Sequence, residues 1–246
     1  MPRFFLDAAI HSGDVLTLPD DVARHVQVLR LNPGDTLTLF NGQGGQYAAR
    51  LAEVGRRSAV VEVGEFSAVD VEPPYEITLA QGVAGGDKMD WLTEKAVELG
   101  AARFVPLATA RSVVRLTGER AARRQAHWQA LVQSACEQCG RNRVPAVEAP
   151  NDFMRWLEGL PAATAEGELR LMLSPRAQLP FAALPSAAPS AAVTLLIGPE
   201  GGLSPEEEDA AAARGFTALS LGPRVLRTET AGIAVLAALA ARWGGW

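Results

Sequence analysis

The sequence predicts an α/β protein of 246 residues with two differently built regions. Residues 1–70 are β-rich, with alternating apolar and polar residues that are typical of half-buried strands. Beyond residue 75, apolar strand segments alternate with helical segments, which is the pattern of an α/β sheet. Glu72-Pro73-Pro74 separates the two patterns, because consecutive prolines stiffen a linker and cannot join a strand ladder.

In the N-terminal region, two alternating segments flank a glycine-rich turn. Residues 36–40 and 46–54 are predicted strands, and Asn41-Gly-Gln-Gly-Gly45 joins them as a hairpin. Residues 58–63 predict a third strand, and residues 25–31 predict a short helix or its exit.

In the C-terminal region, the clearest signal for the start of a helix is at Ser204. Ser204 is a predicted N-cap, Pro205 occupies the first helical position, and Glu207 completes a capping box. The other elements follow from apolar spacing. The predicted helices are 87–99, 119–139, 205–215 and 231–243, and the predicted strands are 76–80, 104–107, 169–173, 193–197 and 216–221.

The composition is that of an ordinary globular protein, with 48% apolar and 21% charged residues. The apolar run 231–241 is too short to span a bilayer. The N-terminus lacks a long apolar stretch with a small-residue cleavage site, so we expect no signal peptide, no membrane partner and a cytoplasmic location.

The two cysteines, Cys136 and Cys139, have C-x-x-C spacing near the end of a predicted helix. The three histidines offer no second ligand pair, so we expect no metal. A redox pair requires the motif at a strand-to-helix junction. Two packed thiols are therefore the better interpretation.

Charge is unevenly distributed along the chain. The net charge of −5 argues against indiscriminate nucleic-acid binding. Residues 103–143, however, hold eight arginines and two glutamates. This stretch is either a local phosphate-binding patch or a solvated helix face, and we favour the latter for Arg120, Arg123 and Arg124.

Two loops near the C-terminus carry the chemistry. The first loop, Ile197-Gly-Pro-Glu-Gly-Gly-Leu-Ser204, leaves a strand and enters a helix. Its glycines allow backbone to approach a ligand, whereas Glu200 would repel phosphate. The first loop therefore fits a neutral or positive ligand, or a turn that needs glycine only for its geometry.

The second loop, Leu221-Gly-Pro-Arg-Val-Leu-Arg-Thr-Glu-Thr-Ala231, has the same layout. Apolar side chains interspersed with free backbone groups suit a purine ring. Thr228 or Thr230 can cap the final helix, and Glu229 can favour its N-terminal dipole. Neither role explains Arg227, because a cation is disfavoured at a helix N-terminus.

Four segments together resemble one family, the RsmE 16S ribosomal RNA uridine-N3 methyltransferases of the SPOUT class. They are GDKMDWLTEKAVELG (86–100), ACEQCGRNRVP (135–145), LLIGPEGGLS (195–204) and LGPRVLRTETA (221–231). Arg3-Phe-Phe and His25-x-x-Val-Leu-Arg30 are similar to the family's PUA-like domain. The resemblance implies a PUA-like RNA-binding β-barrel domain at 1–71 and a SPOUT methyltransferase domain with an α/β trefoil knot at 75–246. The segment 146–192 matches weakly and has no assigned role.

The resemblance also implies S-adenosylmethionine as cofactor, 16S ribosomal RNA of the small subunit as partner, and a homodimer. The implied cofactor-binding residues are Leu173, Ile197, Gly198, Pro199, Glu200, Gly201, Leu221, Gly222, Val225 and Leu226. The candidates for holding RNA are Arg3, His25, Arg30, Lys88, Arg141 and Arg143. His25 is also compatible with a core position, and Lys88 with a solvated helix.

Methylation at uridine N3 requires the N3 proton to leave before or during attack. Arg227 is the candidate cation that stabilises the resulting imide charge, and Glu229 is the weaker candidate for the base. Two alternatives remain open: another SPOUT activity such as ribose 2′-O methylation, and a non-catalytic RNA-binding or ribosome-assembly protein.

Overall fold

The computed structural model describes all 246 residues and divides the chain into two compact units. The first unit contains Met1–Glu72 and Cys136–Val144, and the second contains Pro73–Ala135 and Pro145–Trp246. The chain thus first changes unit at the predicted proline linker. Residues 136–144 pack with the first unit although they lie far along the chain, a long-range association that no local pattern shows.

The first unit is a five-stranded sheet with one helix. Its elements are β1 (Arg3–Phe5), β2 (Val15–Thr17), α1 (Asp20–Val28), β3 (Thr36–Phe40), β4 (Gln46–Val54) and β5 (Ala59–Ser67). The strand order is β1-β3-β4-β5-β2, and only the β1–β3 pair is parallel. The hairpin 36–54 matches the predicted positions, whereas β5 begins one residue later and ends four residues later than the predicted strand 58–63.

Helix α1 begins at Asp20, five residues before the predicted helix at 25–31. Pro19 precedes it, and the carboxylates of Asp20 and Asp21 lie in its first turn, where negative charge interacts favourably with the helix dipole. Val22, Ala23 and Val26 form its buried face. The first turn was missed because its start has no side-chain cap.

The second unit is built on a parallel sheet. Its strands are β6 (Ile77–Gly82), β7 (Ala101–Ala108), β8 (Ala146–Val147), β9 (Asn151–Asp152), β10 (Leu169–Leu173), β11 (Leu179–Pro180), β12 (Val193–Ile197) and β13 (Thr217–Ser220). Its helices are α2 (Lys88–Glu98), α3 (Gly118–Cys139), whose last turn belongs to the first unit, α4 (Phe153–Gly159), α5 (Pro205–Ala212) and α6 (Thr228–Trp243). A 3₁₀ turn occupies Phe181–Ala183.

The strand order of this sheet places the candidate loops side by side. The order is β11-β13-β10-β12-β6-β7-β8, and β9 also pairs with β7. Because β13, β10 and β12 are parallel neighbours, the loops that follow their carboxyl ends meet at one edge of the sheet. Ligands of α/β sheets bind at such edges.

Helix α6 packs on α2 and on β12. Gly232 makes this close approach possible, since a Cβ there would lie 3.2 Å from Ile197 Cδ1 and from Leu92 Cδ1. At the other end of α6, Trp243 packs edge-on against Tyr75 with 5.5 Å between ring centroids. None of the helices combines the length and apolarity that crossing a membrane requires.

Candidate functional site

A cavity of about 490 Å³ lies where three loops of the second unit meet. The loops are the segment 173–176 after β10, the first loop (197–204) after β12 and the second loop (221–231) after β13. The side chain of Arg111 and that of Glu208 on α5 complete the wall. The cavity is therefore built from the carboxyl ends of three adjacent strands.

The structure brings all ten predicted cofactor residues to this cavity. Its lining includes Leu173, Ile197, Gly198, Pro199, Glu200, Gly201, Leu221, Gly222, Val225 and Leu226. Apolar side chains and exposed main chain alternate along the wall, as in sites that bind an aromatic ring and read its edges through backbone groups.

The first loop is held from outside at several points. Arg111 Nη1 donates to Gly201 O at 2.9 Å and to Leu203 O at 3.1 Å. The buried Glu207 carboxylate accepts from Ala110 N at 2.7 Å and from Ser204 N at 2.8 Å. Ser204 Oγ accepts from Glu207 N, so the predicted capping box is present.

Glu200 points toward α2, where two donors meet its carboxylate. Glu200 Oε1 accepts from Gly85 N at 2.9 Å and from Lys88 Nζ at 2.7 Å. Partial burial opposes ionisation of this carboxyl, but these hydrogen bonds outweigh it and hold the pKa of Glu200 below its ordinary value. Lys88, a predicted RNA contact, is thus the ion-pair partner of Glu200.

The second loop is exposed over most of its length. Gly222 has a φ of +106°, a conformation that favours glycine, and a Cβ at Gly222 would meet no atom within 4 Å. Val225 is 80% exposed, and Leu221 and Leu226 are half-buried in the cavity wall. This side of the cavity is open to solvent.

Thr228 does not cap α6, because the N-cap residue is Arg227 and no side chain caps the helix. Thr228 is instead buried and donates from Oγ1 to Gly198 O at 2.7 Å. This hydrogen bond ties the start of α6 to the first loop.

The two candidate catalytic residues flank Thr228 and do not line the cavity. Arg227 is exposed between the lining residues Leu226 and Thr228. Glu229 lies in the first turn of α6, and its Oε2 is buried without a hydrogen-bond partner. A buried carboxylate oxygen without a donor is costly, and such atoms are enriched at functional sites.

A polar wall of the cavity joins the segment 146–192, which had no assigned role, to α5. Glu208 Oε1 accepts from Ser174 Oγ at 3.1 Å, and Glu208 Oε2 accepts from Arg176 Nη2 at 2.6 Å. Arg176 N donates in turn to Ser174 Oγ at 3.2 Å. Ser174, Arg176 and Glu208 all line the cavity, and no sequence motif singled them out.

In the first unit, Arg3 and Arg141 are engaged in internal hydrogen bonds. Arg3 donates to Gln46 Oε1 at 2.6 Å and to Asn142 Oδ1 at 2.6 Å. Arg141 is 4% exposed and forms an ion pair with Glu72. These contacts hold residues 136–144 against the sheet and argue against direct use of the Arg141 guanidinium for RNA.

The other three candidates of the first unit are exposed. His25 lies on α1 with its ring edge-on to Phe4, 5.4 Å between centroids. Arg30 follows α1 with a φ of +57°, which makes it the one non-glycine residue with positive φ. Arg143 is exposed and pairs with Asp70 at 2.9 Å.

Both cysteines lie at the end of α3, with Cys136 buried and Cys139 half-buried. Burial raises the pKa of Cys136 to about 12, so this thiol stays protonated and unreactive. No group of three or more His, Cys, Asp or Glu side chains is placed to hold a metal ion.

Comparison with known proteins identifies the family. A family model described as an RNA methyltransferase domain matches residues 71–240, and one described as an RNA methyltransferase PUA domain matches residues 18–64. The ribosomal RNA small subunit methyltransferase E of Bacillus subtilis is 30% identical over 97% of this chain and 96% of its own length. The chain belongs to this methyltransferase family.

Solved structures of the small subunit methyltransferase E type have the same fold. The Neisseria gonorrhoeae enzyme bound to S-adenosyl methionine matches with a TM-score of 0.91 and 39% identity, covering 99% of this chain and 98% of its own. A putative methyltransferase from Legionella pneumophila in complex with the cofactor SAM matches with a TM-score of 0.90 and 37% identity. The match covers 97% of this chain and 96% of the Legionella chain. The expected fold class, a SPOUT methyltransferase domain with a small PUA-like domain, is confirmed.

Proposed function

We propose that the chain uses S-adenosylmethionine to methylate N3 of a specific uridine in the 16S ribosomal RNA of the small subunit. The observation that carries this proposal is the cavity at the carboxyl ends of β10, β12 and β13. Its ten predicted cofactor residues come from three separate loops. The S-adenosyl methionine-bound relative from N. gonorrhoeae covers 99% of this chain, which supports the same ligand here.

The cavity fits the cofactor in size and chemistry. Its volume of about 490 Å³ suits a ligand of this class, for which pockets of roughly 300–1,000 Å³ are usual. Leu173, Leu221 and Leu226 provide apolar contact for a purine, and the glycines Gly198 and Gly222 expose main chain to its edges. The bound cofactor supplies an electrophilic methyl group on a sulfonium.

Arg227 is the proposed electrostatic catalyst. Loss of the N3 proton leaves negative charge on the uracil imide, and a guanidinium beside the imide oxygens stabilises that charge. Its exposed position at the start of α6, next to two lining residues, keeps it available to RNA.

Glu229 is the proposed base. Its buried Oε2 has no donor, so it retains acceptor capacity for the N3 proton. Glu229 lies in the first turn of α6, two residues beyond Arg227, so the proposed base and the proposed cation belong to the same helix start.

Exposed residues of the first unit are the proposed RNA contacts. His25 and Arg30 on and after α1, together with Arg143, present polar groups to solvent. A uridine in folded RNA must leave its stack before reaction, which such backbone contacts assist. Arg3 and Arg141 are proposed to act indirectly, because their bonds to residues 46, 72 and 142 hold the segment that carries Arg143.

The remaining parts of the proposal are a homodimer and a cytoplasmic location. The apolar α6, with Val235, Leu236 and Leu239 buried within the monomer, has half-buried Ile233, Ala234, Ala237 and Ala238 on other faces. We propose that these residues contribute to a subunit interface. Light scattering of the purified protein measures the oligomer directly.

Mass spectrometry of nucleosides tests the proposed reaction. We expect N3-methyluridine after incubation of S-adenosylmethionine and the protein with 16S RNA or small subunits that lack the modification. A methyl group on ribose would replace the proposal with 2′-O methylation. RNA binding without any affinity for S-adenosylmethionine would replace it with a non-catalytic role.

A further inference from the structure

Gln81 lies at the end of β6 and is 2% exposed. Its Nε2 lies 2.9 Å from Gly82 O, 2.9 Å from Thr228 Oγ1 and 3.3 Å from Gly198 O, so its two protons serve three acceptors and the longest contact, to Gly198 O, is a shared one. Thr228, itself 6% exposed, donates to the same Gly198 carbonyl at 2.7 Å. One buried amide and one buried hydroxyl thus connect β6, the first loop and α6.

The orientation of this amide is fixed by its neighbours. Two carbonyl oxygens face one end of the Gln81 side chain, so that end must be the NH₂ donor. The Thr228 hydroxyl has one proton, which it gives to Gly198 O, and it accepts from Gln81. Gln81 Oε1 is left buried with no partner. The chain thus tolerates an unsatisfied buried acceptor to keep this junction.

Deepening the proposed function, we propose that Gln81 and Thr228 are positioning residues for cofactor binding, which fix the first loop relative to the start of α6. Gly198 lines the cavity, and Thr228 immediately follows Arg227. The junction therefore sets the position of the first loop in the cavity wall. It also sets the direction in which the second loop enters α6. Displacement of a binding group by about 1 Å has large effects on a site, because binding and catalysis depend on preset geometry.

The backbone around the junction is closely packed. A Cβ at Gly198 would lie 2.7 Å from Leu203 N, so the loop backbone is already closely packed on itself. A Cβ at Gly82 would lie 2.6 Å from Pro199 N, so β6 and the first loop are also in direct contact. Loss of the two hydrogen bonds to Gly198 O leaves that buried carbonyl without its donors, and the loop shifts toward water.

The experiment compares Thr228→Val with Thr93→Val. Both threonines are buried, on helices of the second unit, and both changes replace a hydroxyl by a methyl at nearly constant volume. Only Thr228 takes part in the junction. We expect Thr228→Val to raise the Kd for S-adenosylmethionine about tenfold, the effect of an unsatisfied buried group. Thr93→Val should stay within about twofold, and Thr228→Ser should restore binding.

A second pair of variants tests the amide. Gln81→Met removes the donor, whereas Gln81→Glu replaces it by a carboxylate oxygen that faces two carbonyls. We expect Gln81→Glu to weaken cofactor binding more than Gln81→Met does, and the difference to shrink at acidic pH as the carboxyl becomes a donor. If Thr228→Val does not fold, the comparison of Gln81→Glu with Gln81→Met carries the test.

The results separate this inference from the proposed function. If the wild type binds S-adenosylmethionine and Thr228→Val binds it equally well, with Gln81→Glu no worse than Gln81→Met, the positioning role is wrong. If the folded wild type binds no S-adenosylmethionine at all, it is the proposed function that fails.

Discussion

The two loops that face each other across the cavity differ in how they are held. The first loop is tied to the rest of the unit by Arg111, the Glu207 capping box, the Glu200 carboxylate and Thr228. The second loop is exposed from Gly222 to Val225. One wall is therefore fixed by contacts within the unit, and the other is exposed to solvent with fewer such contacts.

This difference has an energetic meaning. A fixed wall has lost its conformational entropy on folding, so a ligand does not have to order it again. A wall held by fewer contacts has more conformational freedom left to lose when a ligand binds, which lowers affinity but leaves an entrance. The arrangement suits a site that must admit a small cofactor and then a large RNA.

The largest expected effect is on the reaction rate and concerns the exposed Arg227. Arg227→Ala should lower kcat about 100- to 1,000-fold, the usual cost of removing a group that stabilises developing charge. The Kd for S-adenosylmethionine should stay within about twofold, because Arg227 does not line the cavity. Single-turnover kinetics with RNA, beside Arg120→Ala on the solvated face of α3, measures this. Full turnover in Arg227→Ala would contradict the assignment of Arg227 as the electrostatic catalyst.

The next effect compares glycines on the two walls. Gly198→Ala forces a Cβ to within 2.7 Å of Leu203 N, so the fixed wall must move and cofactor binding should fall by about a hundredfold. Gly222→Ala meets no atom but strains a φ of +106°, and the exposed loop can relax, so we expect a loss of about tenfold or less. Titration calorimetry measures both. Equal losses would mean that the walls are equally rigid.

The third effect concerns stability. Glu207→Ala removes the capping box and the acceptor for Ala110 N. The free energy of unfolding should fall by about 1–2 kcal/mol, and cofactor affinity should also weaken. Asp209→Ala, an exposed change on the same helix, is the control and should change stability by less than about 0.5 kcal/mol. Urea denaturation distinguishes the two.

The smallest effect is a pH dependence. The pKa of Glu200 in the folded state lies below its ordinary value of 4.5, because hydrogen bonds from Lys88 and Gly85 outweigh partial burial. Glu200 therefore contributes stability above about pH 4.5 that is lost as the pH falls through the folded pKa. In Lys88→Met, the decrease in stability as the pH falls should be smaller than in the wild type. Thermal melts at a series of pH values test this, and identical slopes would contradict the pairing.

The sequence predicted the fold class well, and the residues that it proposes for the cofactor line one cavity, since both results depend on local patterns. The loop residues Gly198, Leu221 and Leu226 were found because glycine, proline and apolar residues followed predicted strands, and the family motifs placed them. The capping box at Ser204 was equally local. A strand–loop–helix unit carries its own signals, and parallel neighbours bring such units together.

What the sequence did not predict depends on contacts between distant residues. Glu208 looks like a solvated acid in the first turn of a helix, and only the fold brings Ser174 and Arg176 to it. Arg141 was a candidate RNA contact, but it is buried against Glu72, 69 residues away in sequence. The sequence position of Thr228 predicts a possible helix cap, but its hydroxyl bonds to Gly198 O, 30 residues upstream. No local pattern records such pairs.

Calorimetric titration of the purified protein with S-adenosylmethionine tests the central claim most directly. The loops that form the cavity are expected to bind one cofactor per chain, with affinity that falls in Gly198→Ala and is retained in Arg227→Ala. A folded wild-type protein that takes up no cofactor, or a Gly198→Ala variant that binds as tightly as the wild type, would contradict the assignment of this cavity.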